Sequence, residues 1–309
     1  MKLQREYFSI KKDGFFGAYY SNPKQTDRCM IALLGDDIDD YMARSGAKWL
    51  MKHNCNVMTM APSKKDYGHH NYPLERFEKA ISVIKEKGNT KIGIVGASTT
   101  GMLALVATSY YNNDISLTIA MSPCDFIMEG FIRDGKDGSK ERPADEESTI
   151  TIAEKPLPYL PYAYRHPQYW QRIQKEAKEG KNIAASRKMF DESERLHPVC
   201  ENEKIKVENI VGRILFIGAE DDVLWDTCKY IRRMDERLKT KQHKSEYDIY
   251  LYTHGTHFVF PEGMLRQMFP IGSSLFVFLA FQAGRQYSSQ CRATRLDIDK
   301  KVTQVLKDW

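Results

Sequence analysis

Three features of this 309-residue chain predict an α/β protein built on a mostly parallel central sheet of about eight strands. Short, continuously apolar runs alternate with stretches whose apolar residues recur every three or four positions. A run that is apolar at successive residues is buried on both faces, which is the condition of a parallel sheet covered by helices on either side. Near the N-terminus an Asp-Gly pair between two short β-prone segments adds an antiparallel hairpin.

The hairpin is expected over residues 6–10 and 15–20, with Lys11-Lys12-Asp13-Gly14 as its tight turn. Parallel strands follow at 29–34, closed by Gly35, and at 56–60, closed by Ala61-Pro62. Further strands are expected at 91–95, 116–121, 213–217 and 247–252. Residues 41–52, 74–87 and 102–111 carry the helical spacing between them. About ninety residues separate the sixth strand from the seventh, and this stretch begins with ten charged positions among the sixteen of 133–148. A Pro/Tyr segment (Pro156, Pro158, Tyr159, Pro161, Tyr162, Tyr164) and two helical stretches, 168–179 and 182–196, complete it. An insertion of this length over the carboxyl edge of a sheet reads as a cap, at about 126–206, within a single domain of 1–309. Its tyrosines suit the wall of an apolar pocket better than a polyproline ligand for a partner.

Composition narrows the function. The net charge of +5 is scattered along the chain, so no nucleic-acid partner is expected. The longest uninterrupted apolar stretch, 275–281, is far too short for a membrane span, and the first residues show no leader pattern. Six cysteines without a C-x-x-C pair read as free thiols, which predicts a cytoplasmic location. No pattern requires a metal or other cofactor. The adjacent His69 and His70 point in different directions and read as a solvated loop.

Chemistry is concentrated at Gly96-Ala97-Ser98-Thr99-Thr100-Gly101, between a buried strand and a helix. A serine on such a turn is a nucleophile elbow. It needs small neighbours, supplied by Gly96 and Gly101, with Thr100 standing where glycine is usual. The helix N-terminus sets backbone N–H groups beside the hydroxyl. The same letters also match a degraded dinucleotide-binding turn, and an inert serine is the plain alternative. The rest of the chain decides between them. Glu220-Asp221-Asp222 follows the seventh strand and Gly255-Thr256-His257 the eighth, giving the chain order Ser, acid, His at carboxyl ends of strands, as in α/β-hydrolases. A dinucleotide fold has no use for His257 there. Asp221 and Asp125 remain alternative acids, and His254 shares the loop of His257.

At this point the sequence resembles a family. Tyr72-Pro73-Leu74-Glu75-Arg76-Phe77-Glu78-Lys79-Ala80-Ile81, then Gly93-Ile94-Val95-Gly96-Ala97-Ser98, Val207-Glu208-Asn209-Ile210 and Asp221-Asp222-x-x-Trp225 look like the acyl-CoA thioester hydrolase / bile acid-CoA:amino acid N-acyltransferase catalytic domain. The likeness runs from about residue 29 to 265. It implies an α/β-hydrolase fold with nucleophile Ser98, acid Asp222 and base His257, acting on an acyl ester or thioester, most directly an acyl-CoA. The family's amino-acid transferases carry Cys at the nucleophile position, so Ser98 favours hydrolysis.

The resulting expectation is a serine hydrolase in which backbone N–H groups of Thr99 and Asp36 form the oxyanion hole. A carboxylesterase on a neutral small ester and a non-catalytic binding protein of the same fold are the alternatives. The loop after the first parallel strand, Gly-rich in the family, reads here Gly35-Asp36-Asp37-Ile38-Asp39-Asp40. Helix capping accounts for Asp39 or Asp40. The carboxylates of Asp36 and Asp37 are expected at the site entrance, where they disfavour the phosphates of CoA unless Arg133, Lys136, Lys140 or Arg142 offsets them.

Overall fold

Ile31 and Leu33 pack into one hydrophobic core and Met30, Ala32 and Leu34 into another, because successive side chains of a strand point to opposite faces. A computed structural model shows how the chain is organised around this alternation, and it describes residues 4–61, 69–133, 141–269 and 272–309. The central sheet has eight strands: β1 (Arg5–Phe8), β2 (Gly17–Tyr20), β3 (Arg28–Leu33), β4 (Asn56–Met60), β5 (Lys91–Ala97), β6 (Ile115–Met121), β7 (Arg213–Ala219) and β8 (Tyr247–Tyr252). Their spatial order is β1-β2-β4-β3-β5-β6-β7-β8. Antiparallel pairing is confined to β1/β2 and β2/β4, and all other pairs are parallel.

Helices cover both faces. On one side α2 (Glu75–Glu86), α3 (Thr99–Tyr110) and α6 (Thr227–Thr240) bury Phe77, Met102 and Met234. On the other, α1 (Tyr41–Lys52), α7 (Glu262–Met268) and the C-terminal α10 (Ser288–Asp308) bury Leu50, Leu265 and Val302. Helix α3 is buried nearly all round, as a helix between a sheet and further structure must be. Two short helices, α8 (Ser273–Ala280) and α9 (Gln282–Gln286), lie between α7 and α10.

Local details depart from the sequence expectations. The hairpin forms, but its connection is a one-turn helix, Ile10–Asp13, rather than a tight turn. The Asp13 carboxylate accepts the Ser9 N–H (2.7 Å) and Gly14 ends the turn at φ +77°, so the Asp-Gly pair closes a helical turn instead of a two-residue loop. Between β6 and β7 lie α4 (Gln168–Glu179), α5 (Arg187–Leu196) and small strand pairings. Glu129–Arg133 pairs with Glu141–Ser148, and Ile150–Ile152 lies between Tyr72–Pro73 and Lys155–Pro156. Helix α5 starts later than its apolar spacing suggests because the preceding residues bond elsewhere. Ile183 N–H donates to Ala280 O (2.9 Å), and the Ser186 and Arg187 N–H groups both donate to Val223 O (3.0 Å).

Candidate active site

Strand β5 and helix α3 meet at Ser98, which adopts φ +61° and ψ −132°. A non-glycine residue in that conformation is strained and persists only where its surroundings over-determine it. Here they do. A Cβ at Gly96 would collide with the Thr100 carbonyl, and one at Gly101 would stand 2.9 Å from Met121 O. Ser98 N–H donates to Met121 O at the end of β6 (2.9 Å). Thr100, at the position where glycine is usual, ties the turn down: its hydroxyl donates to Leu33 O of β3 (2.7 Å) and accepts the Ala97 N–H (3.1 Å). The N–H of Thr99, first in α3, has no acceptor within the helix.

The two acids after β7 have different partners. Asp222 is fully buried, and its Oδ2 lies 2.8 Å from His257 Nδ1. The same carboxylate accepts the Thr227 hydroxyl (2.5 Å) and the Leu224 N–H (2.9 Å). Asp221 instead organises the β8 loop, accepting the N–H groups of Gly255 (3.0 Å) and Thr256 (2.7 Å) and facing His254 Nδ1 (3.2 Å). His254 stacks on Tyr287. Asp125 is buried against Arg233, whose Nε donates to it at 2.7 Å. Burial raises the Asp125 carboxyl while the guanidinium beside it opposes that rise.

His257 is itself buried, packed edge-on against Trp225 at 4.9 Å, and its carbonyl accepts the Ser122 hydroxyl (2.9 Å). In the tautomer that directs Nδ1–H at Asp222, Nε2 carries the ring's lone pair. Nε2 is buried and makes no hydrogen bond among the described residues, so a Ser98–His257 hydrogen bond is not formed.

Ser98, Thr99 and His257 line one cavity of about 430 Å³. Its walls are apolar, formed by Phe131, Ile183, Leu224, Phe258, Phe260 and Phe281 among others. None of the Pro/Tyr segment lines it. Tyr162 is buried instead in a chain of ring contacts, Phe131–Tyr162–Phe190–Trp225, that ends on His257. The expectation of a tyrosine wall is thereby corrected: Tyr162 supports the site from behind. His69, expected in a solvated loop, lines the cavity, while His70 pairs with Glu147. A His197-x-x-Cys200-x-x-Glu203 group that sequence reasoning passed over brings its ligand-type atoms within 4.8 Å of one another, outside this cavity.

The acidic turn is arranged differently from the expectation. Asp36 and Asp40, not Asp36 and Asp37, line the cavity. Asp40 caps α1 through the Ala43 N–H (2.8 Å), and its other oxygen accepts the N–H groups of Asp36 (2.7 Å) and Asp37 (3.0 Å). Asp37 bonds the Ile38 N–H (2.8 Å) and Asp39 the Tyr7 hydroxyl (2.8 Å). The Asp36 N–H, expected in the oxyanion hole, is therefore engaged by a carboxylate. Gly35 permits the fold-back, since a Cβ there would approach Asp40 Oδ1 to 2.6 Å. Lys136 and Lys140 lie outside the described residues, as do the side chains of Arg133 and Arg142.

The chain is similar to several solved structures. A Bacteroides ovatus protein provisionally described as a dipeptidyl aminopeptidase IV is similar over 99% of this chain and 36% of its own, at 11% identity and a TM-score of 0.50. A Pyrococcus furiosus esterase matches 98% of this chain and 94% of its own (14% identity, TM-score 0.49). An α/β hydrolase from a Medee basin deep-sea metagenome library matches 96% and 98% (13% identity, TM-score 0.48). The fold is that of the α/β-hydrolases. No curated protein sequence matches the chain. The profile described as BAAT / acyl-CoA thioester hydrolase C terminal matches residues 72–263, and the chain belongs to that family.

Proposed function

We propose that the protein is a serine hydrolase that cleaves an acyl ester or thioester through Ser98, His257 and Asp222. The observation that carries this reading is the buried Asp222–His257 pair, with Nε2 unbonded in the cavity that Ser98 lines. In this scheme His257 Nε2 takes the Ser98 proton as Oγ attacks the acyl carbonyl. The Ser98–His257 contact closes as substrate seats, as catalytic hydrogen bonds commonly do. The proton then passes to the leaving alcohol or thiol, and a water activated by the same imidazole releases the acid. Asp222 keeps the imidazole in the productive tautomer and stabilises its cationic form. Thr99 N–H faces the developing oxyanion, and a second donor of this kind contributes on the order of 3 kcal/mol.

Family membership favours an acyl-CoA thioester as substrate. The cavity favours a neutral ester: its lining includes Asp36 and Asp40 and, among the described residues, neither Lys nor Arg. Labelling with a fluorophosphonate tests the chemistry, because only an activated serine reacts. Wild type should label and Ser98→Ala should not, with kcat in the variant lower by a factor on the order of 10⁶. Absence of labelling in the wild type favours the non-catalytic binding protein, and more than a tenth of wild-type turnover in Ser98→Ala rejects the serine mechanism.

A further inference from the structure

Helix α8 presents an apolar face that is exposed among the described residues. Its residues Ser273, Val277 and Ala280 are buried, whereas Leu275, Phe278 and Leu279 are 45%, 42% and 59% exposed. Positions 275, 278 and 279 are spaced i, i+3, i+4 and so share one side of the helix. The patch continues beyond the helix: Ile183, 63% exposed, donates its N–H to Ala280 O at the C-terminal end of α8. Contiguous exposed apolar surface of this kind marks a docking site.

Both ends of the helix carry basic groups, whereas the cavity wall that the face adjoins carries Asp36 and Asp40. At the C-terminal end Arg285 bonds the carbonyls of Phe278 (3.1 Å), Leu279 (3.2 Å) and Lys181, so its charge is met by no carboxylate among the described residues. Lys181 is exposed and makes no ion pair among those residues. At the other end a groove of about 720 Å³ is lined by Arg266 and Arg292 together with Ser273 and Ser274. The acid of that groove, Glu262, is already held by Arg295 (2.8 Å), Arg266 (3.0 Å) and Ser273 (2.7 Å). An apolar face between cations complements an anionic, apolar-cored surface rather than a second copy of this chain, whose matching face would bring like charges together.

We propose that α8 docks the protein on the surface of anionic lipid membranes, with Leu275, Phe278 and Leu279 inserted and Lys181, Arg285 and Arg292 at the headgroups. The face adjoins the active-site cavity, because Ile183 belongs to both the patch and the cavity wall and Phe281, directly after α8, lines the cavity as well. An apolar acyl substrate leaving the bilayer would pass Ile183 on its way towards Ser98. The docking does not depend on the serine-hydrolase reading and is measured without turnover.

The experiment is co-sedimentation of the full chain with vesicles of phosphatidylcholine containing phosphatidylglycerol, against phosphatidylcholine alone. The wild type should bind the anionic vesicles, and less so at high salt. Leu275→Ser/Phe278→Ser/Leu279→Ser should lose binding by at least about tenfold with an unchanged melting temperature. Lys181→Gln/Arg292→Gln should lose about 30-fold. Failure of the wild type to sediment with anionic vesicles, or full binding by the triple serine variant, overturns the proposal. A concentration-dependent dimer that the triple serine variant disperses would instead assign the face to a second copy and overturn it equally.

Discussion

The Asp36 N–H donates to Asp40 Oδ2 at 2.7 Å, in a turn that borders the same cavity as Ser98. One carboxylate therefore caps α1 and also engages the backbone donor best placed, by chain position, to complete an oxyanion hole. It also puts a negative charge on the wall of that cavity. Under the proposed serine mechanism, in which an oxyanion develops beside Ser98, both effects should slow acyl transfer. Asp40→Ser retains an acceptor for the Ala43 N–H but is too short to hold Asp36 as well, so kcat on a p-nitrophenyl ester should rise. Recovery of a full oxyanion donor is worth up to about 10²-fold. The stability change should stay within about 1 kcal/mol, because serine is a good cap. A fall in kcat would mean that Asp40 holds the turn in its productive form.

The neighbouring acids Asp221 and Asp222 should separate cleanly by kinetics. Asp222→Asn removes the charge that orients and stabilises His257, and kcat should fall by a factor on the order of 10⁴. Asp221→Asn keeps a carbonyl oxygen for the Gly255 and Thr256 N–H groups, so kcat should stay within about tenfold of wild type. Asp221→Ala leaves those two donors without their acceptor and should cost about 1–3 kcal/mol of stability, read as a lower melting temperature. A larger loss of kcat in Asp221→Asn than in Asp222→Asn would reassign the acid.

The strand–turn–helix around Ser98 and the strand-end positions of Asp222 and His257 were legible in the sequence because each depends on local pattern: an apolar run, small residues at fixed offsets, and chain order. The division of work between Asp221 and Asp222 was open, since adjacent acids on a loop differ only in where the fold turns them. The cavity wall was least legible. Phe131, Ile183 and Phe281 come from segments far apart in the chain and meet only in the folded protein. Phe258 and Phe260, beside His257, were the one local signal. The tyrosines of 159–164 misled because alternation with proline says that rings are present but not which way they face. Asp13-Gly14 misled in the same manner, since a left-handed glycine closes a helical turn as readily as a hairpin.

Thiol chemistry should be confined to one residue. Burial pushes Cys55 up to about 11 and Cys228 up to about 12, and raises Cys29 and Cys124 as well. Cys291 is likewise raised, to about 11. Raised values leave little thiolate near pH 8, and burial keeps reagent away from what forms. Cys200 is the exposed cysteine. Ellman's reagent should therefore titrate about one thiol in the native protein and six after denaturation. Blocking that thiol should leave fluorophosphonate labelling of Ser98 intact. Loss of labelling on thiol modification would point to a cysteine in the chemistry.

Choice of substrate should turn on Asp36. Its side chain is exposed and borders the cavity, whereas Asp37 does not line it and bonds the Ile38 N–H. Two unit charges about 8 Å apart at an effective dielectric near 20 repel by about 2 kcal/mol before salt acts. Screening at physiological ionic strength removes much of that for an exposed group. CoA carries several phosphate charges, and two carboxylates, Asp36 and Asp40, line the cavity. Asp36→Asn should therefore raise kcat/KM for an acyl-CoA by several-fold to about tenfold at low salt, and less as salt is added. The same variant should leave kcat/KM for an uncharged p-nitrophenyl ester nearly unchanged, and Asp37→Asn should alter neither substrate. Equal effects on both substrates would show that Asp36 acts through the turn's shape. A wild type that already prefers the acyl-CoA, with no gain from Asp36→Asn, would show that cations outside the described residues neutralise the mouth.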